Sequence, residues 1–246
     1  MPAADEAAGR VAVVIPAKDE AQRIAATVRS ALTIAAAALV LVVDDGSSDG
    51  TGTLAEEAGA SVVRHTRNRG KAAAMETGAQ AVRLLEQQRG GPPYVLLFLD
   101  ADLEDAAANA APLAVPVLDG TADMTIAVLP PQVRPGGGRG FVVRLSRDGI
   151  QRATGFTAAQ PLSGQRALSR SAFEAALPLA AGWGVETALT IDLLRKGFRV
   201  LEVEVDLHHR VTGTDWQAQL HRARQYRDVA RALLARRVSP LPLRRG

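Results

Sequence analysis

The chain has 246 residues, of which 47% are hydrophobic and 22% charged, a balance typical of a soluble globular protein. No apolar run approaches the length that spans a bilayer, the start of the chain lacks a secretion signal, and cysteine is absent. We therefore expect a cytoplasmic protein without disulfide or thiol chemistry. The net charge is only +3, and few aromatic residues accompany the arginines, which argues against nucleic-acid binding.

The first hundred residues alternate between apolar strands and helices. Residues 1–9 are expected to be disordered, and Pro16 is expected to end the first strand. Apolar runs predict strands over 11–15, 39–43, 61–64 and 95–99. The intervening segments predict helices over 21–38, about 52–59 and 71–88. Strands that alternate with helices indicate a parallel sheet with right-handed crossovers.

Two carboxylates follow the apolar run 95–99. Because side chains alternate along a strand, Asp100 and Asp102 are expected to point to the same side. They would do so at the carboxyl end of the strand, where open α/β sheets bind their ligands. Two acidic oxygen donors there suit a hard divalent cation that bridges phosphates. The alternative is a strand followed by a helix cap, since Asp is common at caps.

Other turns of the first half are polar as well. Asp and Glu follow the first strand, a Gly/Ser/Asp turn over 44–51 follows the second, and 67–71 leads into the third helix. Each turn alone is ordinary loop chemistry, but together they collect polar groups along one sheet edge, as in a nucleotide pocket. The glycine signatures of dinucleotide-binding and P-loop proteins are absent from the sequence, which disfavours both classes.

The second half predicts further helices and strands around one glycine-rich loop. The predicted helices cover 105–119, 141–154, 182–196 and 216–237, and the predicted strands cover 123–129 and 198–207. Pro112 and Pro116 are expected to disturb the first of these helices. The last strand alternates like an exposed sheet edge. Loop 130–140 carries Arg134 and Arg139, and it is either a plain solvent loop or a lid over phosphates.

The last predicted helix, 216–237, is amphipathic and rich in arginine. Its apolar stripe favours packing on the sheet with a basic outer face. The alternative is adhesion to an anionic membrane surface, which would make the protein peripheral to the inner face of the membrane. Association into a homodimer is also left open.

Four segments in order carry a resemblance to a known family. They are Val13-Val-Ile-Pro-Ala-Lys-Asp-Glu20, Val42-Val-Asp-Asp-Gly-Ser-Ser-Asp-Gly-Thr51, Asn68-Arg-Gly-Lys71 and Leu99-Asp-Ala-Asp102. Their order and spacing resemble the signature of GT-A glycosyltransferases of family 2. The resemblance implies one α/β domain over 1–246 with the GT-A fold, a Rossmann-like arrangement whose mixed, mainly parallel sheet is flanked by helices. A nucleotide-sugar-binding half would cover about 10–102, and an acceptor-binding half about 103–246.

The resemblance also implies roles for the first three segments. The residues that would flank the nucleoside are Pro16, Ala17 and Glu20. Asp45 would contact the base, and because a carboxylate can accept from a ring N–H such as uracil offers, UDP is favoured; Asp44 would support the turn. Gly70 and Lys71 would approach the nucleotide, with Lys71 as a point charge for phosphate.

The fourth segment would form the metal site. Asp100 would touch the ribose or the metal. Asp102 would be the direct ligand of Mg²⁺ or Mn²⁺ and in that sense a catalytic residue, because the cation neutralises the diphosphate as it leaves.

Two segments of the second half resemble narrower groups. Around Ser163 and Gly164, the sequence resembles the acceptor side of polyprenyl-phosphate sugar transferases, although Gln165 stands where those proteins have an aromatic residue. Gly182-Trp-Gly-Val-Glu186 resembles glucosyl-3-phosphoglycerate synthases, in which this Glu lies at the sugar and the glycine-rich turn meets the acceptor. Gly184 and Glu186 are therefore assigned to the sugar or acceptor, with Glu186 as a second catalytic residue.

The pair His209-Arg210 follows the same resemblance. In those synthases a His followed by Arg completes the metal site, so His209 would be a ligand beside Asp102, and Arg210 would face the acceptor or sugar.

The implied function is metal-dependent transfer of a sugar from a nucleoside diphosphate sugar, with a UDP-sugar favoured, to an unidentified acceptor that is small or phosphorylated. Two alternatives stay open: a polyprenyl-phosphate sugar transferase at the membrane surface, and a non-catalytic nucleotide-sugar-binding protein. The stereochemical course is open too. In an inverting enzyme, Glu186 or a nearby Asp could act as the base.

Overall fold

The computed structural model describes residues 10–130, 139–207 and 216–239. The strands are β1 Val11–Ala17, β2 Ala37–Asp44, β3 Ser61–Arg64, β4 Val95–Phe98, β5 Met124–Val128, β6 Arg166–Leu168 and β7 Val200–Glu204. The α-helices are α1 Ile24–Ala31, α2 Thr51–Glu57, α3 Lys71–Arg89, α4 Val115–Leu118, α5 Arg139–Thr154, α6 Arg170–Ala175, α7 Val185–Arg195 and α8 Trp216–Ala235. Two 3₁₀ segments cover Glu104–Leu113 and Gly182–Gly184.

The strands of the described residues form one mixed sheet. Their order is β3-β2-β1-β4-β6-β5-β7. Neighbours among β1 to β4 pair in parallel, β7 pairs in parallel with β5 at the outer edge, and β6 runs antiparallel to both of its neighbours. The predicted mixed, mainly parallel sheet is confirmed, as is the edge position of the last strand.

Both faces of the sheet are covered by helices. Alternate residues of β1 point to opposite faces, as the geometry of a strand requires. Val13 and Ile15 pack with α1 and the first 3₁₀ segment, whereas Val14 packs with α3, α6 and α7. Gly78 allows α3 to come close to the sheet, because a Cβ at this position would lie only 2.4 Å from Val14 Cγ1. In the described residues, no helix is both long enough and apolar enough to cross a bilayer.

The first predicted helix, 21–38, is wrong at both ends. The helix α1 is much shorter, and the last alanines of the predicted range belong to β2. Ala37 pairs with Val11 of β1, and this sheet pairing outweighs the helix propensity of alanine.

Proline residues affect two predicted elements, the first against expectation and the second as expected. Pro16 does not end β1, because it still pairs with Val43 of β2. On the other side of β1, the pairing with β4 already stops at Val14, so Pro16 lies outside that ladder. The predicted helix over 105–119 is instead a 3₁₀ segment followed by the single turn α4. Pro112 and Pro116 cannot donate the backbone hydrogen bonds of a continuous α-helix.

The short strand β6 is not among the predicted strands. Its antiparallel pairing with β4 determines which residues lie together at the edge of the sheet. Its three residues include a charged one, so the sequence lacks the apolar run of a buried strand. Arg166 pairs with Phe98 of β4 in antiparallel register. The residues just before β6 therefore lie beside the residues just after β4, at the edge where the parallel strands β1, β2 and β4 have their carboxyl ends.

Candidate active site

Three charged side chains from distant parts of the chain meet at this edge. Lys71 begins α3, Asp100 follows β4 directly, and Glu186 lies in the first turn of α7. Lys71 Nζ donates to Asp100 Oδ1 at 2.8 Å and lies 3.1 Å from Glu186 Oε1. The Glu186 side chain is only 9% exposed. The structure thus brings together predicted residues from both halves of the chain.

The two carboxylates determine the charge of the lysine. Burial alone would lower the pKa of Lys71, but the charges of Asp100 and Glu186 and the hydrogen bonds to them raise it above its ordinary value. Lys71 is therefore a permanent cation at neutral pH. It can attract a phosphate group, and it cannot serve as a base.

Glu20 lies at the same edge among other acidic groups. Its Oε2 is buried and accepts no hydrogen bond from a described residue, and Arg23 Nε lies 3.5 Å away. Burial raises the pKa of Glu20, and the charges of Asp102, Asp49 and Asp100 raise it further, against the opposing effect of Arg23. This edge therefore concentrates negative charge near Asp102, which suits a divalent cation.

The turns after β1 and β2 hold each other in place. The backbone N–H of Asp19 donates to Ser47 Oγ at 2.9 Å, and Asp19 Oδ1 accepts from the N–H of Ser48 at 2.9 Å. The N–H of Glu20 donates to Thr51 Oγ1 at 2.8 Å. Asp19 has a φ of 54°, a left-handed conformation that is uncommon for residues other than glycine. Hydrogen bonds to the second turn fix this conformation.

Pro16 and Ala17, the other predicted nucleoside neighbours, lie in β1. Ala17 is only 3% exposed, and its carbonyl accepts from the N–H of Asp45 at 2.8 Å. Their contact with a nucleoside stays a prediction.

Asp45 organises the loop before α3. Its carboxylate accepts from the N–H groups of Arg69 at 2.8 Å and Gly70 at 2.7 Å, and it contacts His65 Nδ1 at 2.7 Å. Burial would raise the pKa of Asp45, but the hydrogen bonds from His65, Arg69 and Gly70 lower it overall. His65 in turn contacts Thr77 Oγ1 of α3 at 2.9 Å. The predicted base contact of Asp45 is untested, and its support of the loop that precedes Lys71 is an additional role.

Asp44 supports its own turn, as predicted. Its Oδ1 accepts from the N–H of Ser47 at 2.9 Å.

The segment before β6 packs against the charged cluster. A Cβ at Gly164 would lie 2.5 Å from Lys71 Nζ and 2.7 Å from Asp100 Oδ1, so only glycine fits this place without a shift of those groups. Gln165 is fully buried, and its Nε2 donates to Asp100 Oδ2 at 2.6 Å. Ser163 Oγ donates to Gln165 Oε1 at 3.2 Å. The sequence marked Gln165 only as a departure from a related pattern, whereas the structure gives it a partner in the site.

The turn Gly182–Gly184 packs against α8 before it leads into α7. A Cβ at Gly182 would lie 2.3 Å from Asp228 Oδ2, and one at Gly184 would lie 2.6 Å from the carbonyl oxygen of Asp228. The N–H of Trp183 donates to Asp228 Oδ2 at 3.4 Å. The two glycines thus allow close packing, and contact of Gly184 with a sugar or acceptor stays a prediction.

The remaining predicted residues lie outside the described parts of the chain. These are His209, Arg210 and Arg134, and the side chain of Arg139 is likewise not described. Within 10–130, 139–207 and 216–239, no group of three or more His, Cys, Asp or Glu side chains could hold a metal ion. The proposed pair of ligands, Asp102 and His209, therefore has only its first member among the described residues.

A cavity of about 210 Å³ opens beside the start of α3, next to the charged cluster. One wall is formed by Arg69, Gly70 and Glu76, and the other by the segment 178–182. Glu76 joins the two walls, because its Oε1 accepts from the N–H of Leu179 at 2.8 Å. The cavity offers room for a small molecule between the first turns of α3 and the segment before Gly182.

Comparison with known proteins places this site in a family. Residues 12–176 match the sequence model of Glycosyl transferase family 2, which is more than half of the chain. The chain belongs to glycosyl transferase family 2. The matched residues include the turns that carry Glu20, Asp45, Lys71 and Asp102, so the recognised segments and the family agree.

One relative of this family 2 member is Glycosyltransferase AglJ of Haloferax volcanii. The two are 34% identical over 212 residues, which is 83% of this chain and 65% of the relative. The chain thus spans just under two thirds of the length of AglJ.

Solved structures of glucosyl-3-phosphoglycerate synthase from Mycobacterium tuberculosis resemble the whole described fold. The complex with Mg²⁺ and uridine diphosphate has a TM-score of 0.74 at 27% identity and covers 93% of this chain and 79% of that chain. The complex with Mn²⁺, uridine diphosphate and phosphoglyceric acid has a TM-score of 0.73 at 27% identity and covers 93% and 78%. The expected GT-A fold is confirmed, as is the resemblance of the second half to these synthases.

Proposed function

We propose that this protein transfers a sugar from a UDP-sugar, with Mg²⁺ or Mn²⁺, to a small acidic acceptor. The observation that carries the proposal is the meeting of three charged residues at the carboxyl edge of the sheet, where Lys71 Nζ lies 2.8 Å from Asp100 Oδ1 and 3.1 Å from Glu186 Oε1. It is supported by structural relatives that bind uridine diphosphate with either metal and, in one complex, phosphoglyceric acid.

The chain's own residues would perform distinct tasks. Lys71, held as a cation, would bind the diphosphate. Glu186 would orient Lys71 and accept a hydrogen bond from a sugar or acceptor hydroxyl. The buried Oε2 of Glu20 accepts no hydrogen bond from the described residues and so suits a hydroxyl donor, such as a ribose offers.

The residues also fit a divalent cation. Asp102 offers carboxylate oxygen in a region of concentrated negative charge, and Mg²⁺ and Mn²⁺ prefer such ligands. Asp102 would hold the metal together with His209. When bound, the metal would neutralise charge on the leaving diphosphate.

A thermal-shift experiment tests the donor and the metal together. UDP with Mn²⁺ is expected to raise the melting temperature beyond Mn²⁺ alone, whereas UDP without metal is expected to have little effect. Asp102→Ala should abolish the shift, and Asp105→Ala, which changes an exposed Asp of the next segment, should keep it. Equal shifts with and without metal would contradict the proposed site.

The acceptor is tested by activity. Purified protein with Mn²⁺ and UDP-sugars is expected to release UDP faster when a small phosphorylated acid such as phosphoglyceric acid is added. Tight binding of a UDP-sugar without transfer to any acceptor would favour a non-catalytic binding protein.

A second candidate, transfer to a polyprenyl phosphate at a membrane surface, is supported by one observation. Phe141 is 73% exposed with Arg144 over its ring, and Leu234 of the arginine-rich α8 is 57% exposed. Exposed apolar side chains beside arginines suit an anionic membrane surface. Incorporation of labelled sugar into an organic-extractable product, absent with water-soluble acceptors, would favour this candidate.

A further inference from the structure

We propose that Gln165 is a positioning residue of the nucleotide site: it holds the Asp100 carboxylate against Lys71 and thereby fixes the cation that faces the diphosphate. This inference rests on the proposed function. The two oxygens of Asp100 are occupied from opposite sides, Oδ1 by Lys71 Nζ at 2.8 Å and Oδ2 by Gln165 Nε2 at 2.6 Å. Two donors on one carboxylate define its rotation, which a single donor does not.

The chemistry of the amide suits this task. An ionised carboxylate can only accept hydrogen bonds, so a neutral donor can hold Asp100 without a second positive charge. The Gln165 side chain is itself fixed, because it is fully buried and its Oε1 accepts from Ser163 Oγ at 3.2 Å. The donor therefore cannot follow Asp100 if the carboxylate rotates.

The antiparallel strand β6 explains why these residues meet. Arg166 pairs with Phe98, and continuing this register beyond the ladder brings Gln165 and Gly164 beside the residues that follow β4. Gly164 fills the remaining space with backbone alone, since a Cβ there would lie 2.8 Å from Asp100 Oδ2. Glycine and glutamine thus confine the Asp100 carboxylate, one by contact and the other by a hydrogen bond.

Arg166, the residue after Gln165, holds the segment 161–165 in place by hydrogen bonds. Arg166 is 1% exposed; its Nε donates to the Ser163 carbonyl at 2.9 Å and its Nη2 to the Pro161 carbonyl at 3.0 Å. Its Nη1 donates to Thr190 Oγ1 of α7 at 2.8 Å, and Thr190 Oγ1 donates to the carbonyl of Glu186 at 2.9 Å. The segment that positions Asp100 is therefore tied to the helix that positions Glu186, the other partner of Lys71.

The test measures the affinity for UDP in saturating Mn²⁺ by calorimetry. Gln165→Met keeps the length of the side chain and removes its hydrogen bonds. We expect about tenfold weaker binding, the effect of losing one hydrogen bond to a charged group. The matched control is Gln160→Met in the same segment. It removes the hydrogen bond from Gln160 Nε2 to the Leu129 carbonyl at 2.6 Å and should leave the affinity within about twofold of wild type.

Gly164→Ala tests the same carboxylate by a different route. It removes no hydrogen-bonding side chain, and Gly164 has no left-handed φ, so its backbone accepts alanine. The added Cβ would lie 2.5 Å from Lys71 Nζ and 2.7 Å from Asp100 Oδ1, so it should displace this ion pair and weaken UDP binding about tenfold as well. Both substitutions disturb the same Lys71–Asp100 pair. The double variant should therefore bind UDP no more than about twofold less tightly than whichever single variant binds it less tightly. If the two substitutions acted independently through general structural effects, their fold-losses in UDP affinity would multiply in the double variant.

The outcomes separate the two proposals. If wild-type protein does not bind UDP with Mn²⁺, the proposed function fails. If wild type binds UDP, two results overturn only the positioning role. One is an unchanged UDP affinity of Gln165→Met, and the other is a double variant in which the affinity losses of Gln165→Met and Gly164→Ala multiply. If Gln165→Met shows no cooperative unfolding transition, Gly164→Ala decides, and an unchanged affinity in that variant overturns the role.

Discussion

Lys71 Nζ lies 3.1 Å from Glu186 Oε1, so the first residue of α3 and the first turn of α7 form an ion pair across the two halves of the chain. The same ammonium group holds Asp100 at 2.8 Å. One cation therefore pairs with carboxylates from two different segments and holds them at one place.

Replacing Lys71 by an uncharged residue should weaken the binding of UDP. Lys71→Met removes the ammonium group that bridges Asp100 and Glu186, so UDP affinity in Mn²⁺ is expected to fall about 10- to 100-fold. The measurement is calorimetric titration. Lys196→Met, at an exposed lysine, is the control and should bind like wild type. An unchanged affinity of Lys71→Met would show that the lysine does not face the nucleotide.

Asp45 should make stability depend on acidic pH. Its pKa is lowered in the folded state below the ordinary value of 3.8, so its contribution is fully present above about pH 4 and is lost as the pH falls through the folded-state pKa. Asp45→Asn should lower the free energy of unfolding at pH 7 by about 1–3 kcal/mol, because it disrupts the hydrogen bonds from His65 and the loop N–H groups. The difference from wild type should shrink below about pH 4.

Urea unfolding of both proteins at pH 7 and at successively lower pH measures this difference. Asp105→Asn, at an exposed position, is the control and should match wild type at each pH. A difference between Asp45→Asn and wild type that stays constant with pH would contradict the proposed role of the carboxylate.

Arg166 should not be replaceable by lysine. Its guanidinium serves the carbonyls of Pro161 and Ser163 and the hydroxyl of Thr190, and one ammonium group cannot reach all three places. Burial lowers the pKa of Arg166 to about 10 although Glu186 and Glu202 oppose this shift, so the buried charge depends on these hydrogen bonds. Arg166→Lys is expected to lower the free energy of unfolding by about 2–3 kcal/mol, measured by urea unfolding. The exposed Arg29→Lys should change it by less than about 0.5 kcal/mol, and equal effects would refute the argument.

Local patterns predicted the parallel half of the sheet and the acidic residues at its edge. Apolar runs located β1 to β5, and the alternation along a strand indicated where Asp100 and Asp102 would lie. The alanine run before β2 predicts a helix that continues to residue 38, whereas β2 begins at Ala37. Helix propensity is a weak guide where a segment can pair with a sheet. Pro112 and Pro116 indicate a disturbed helix, but the 3₁₀ form of this segment also depends on its packing against the core.

The residues that sequence reasoning missed are buried polar groups with distant partners. His65 binds Asp45, Gln165 binds Asp100, and Arg166 joins two carbonyls to α7. The pairs His65–Asp45, Gln165–Asp100 and Arg166–Thr190 are 20, 65 and 24 residues apart, so each depends on how separate segments meet. A buried Arg after a Ser-Gly pair is recognisable only once β6 is known to run antiparallel between β4 and β5.

The packing of α8 against Gly182 and Gly184 has a practical consequence for cutting the chain. The family match ends at residue 176, before the turn, before Glu186 and before the edge strand β7. A fragment cut at that point would lose Glu186, one of the two carboxylate partners of Lys71, and the helices that cover Val142, Leu145 and Ile150. A fragment that keeps the contact between Asp228 and the glycine turn must therefore extend through α8.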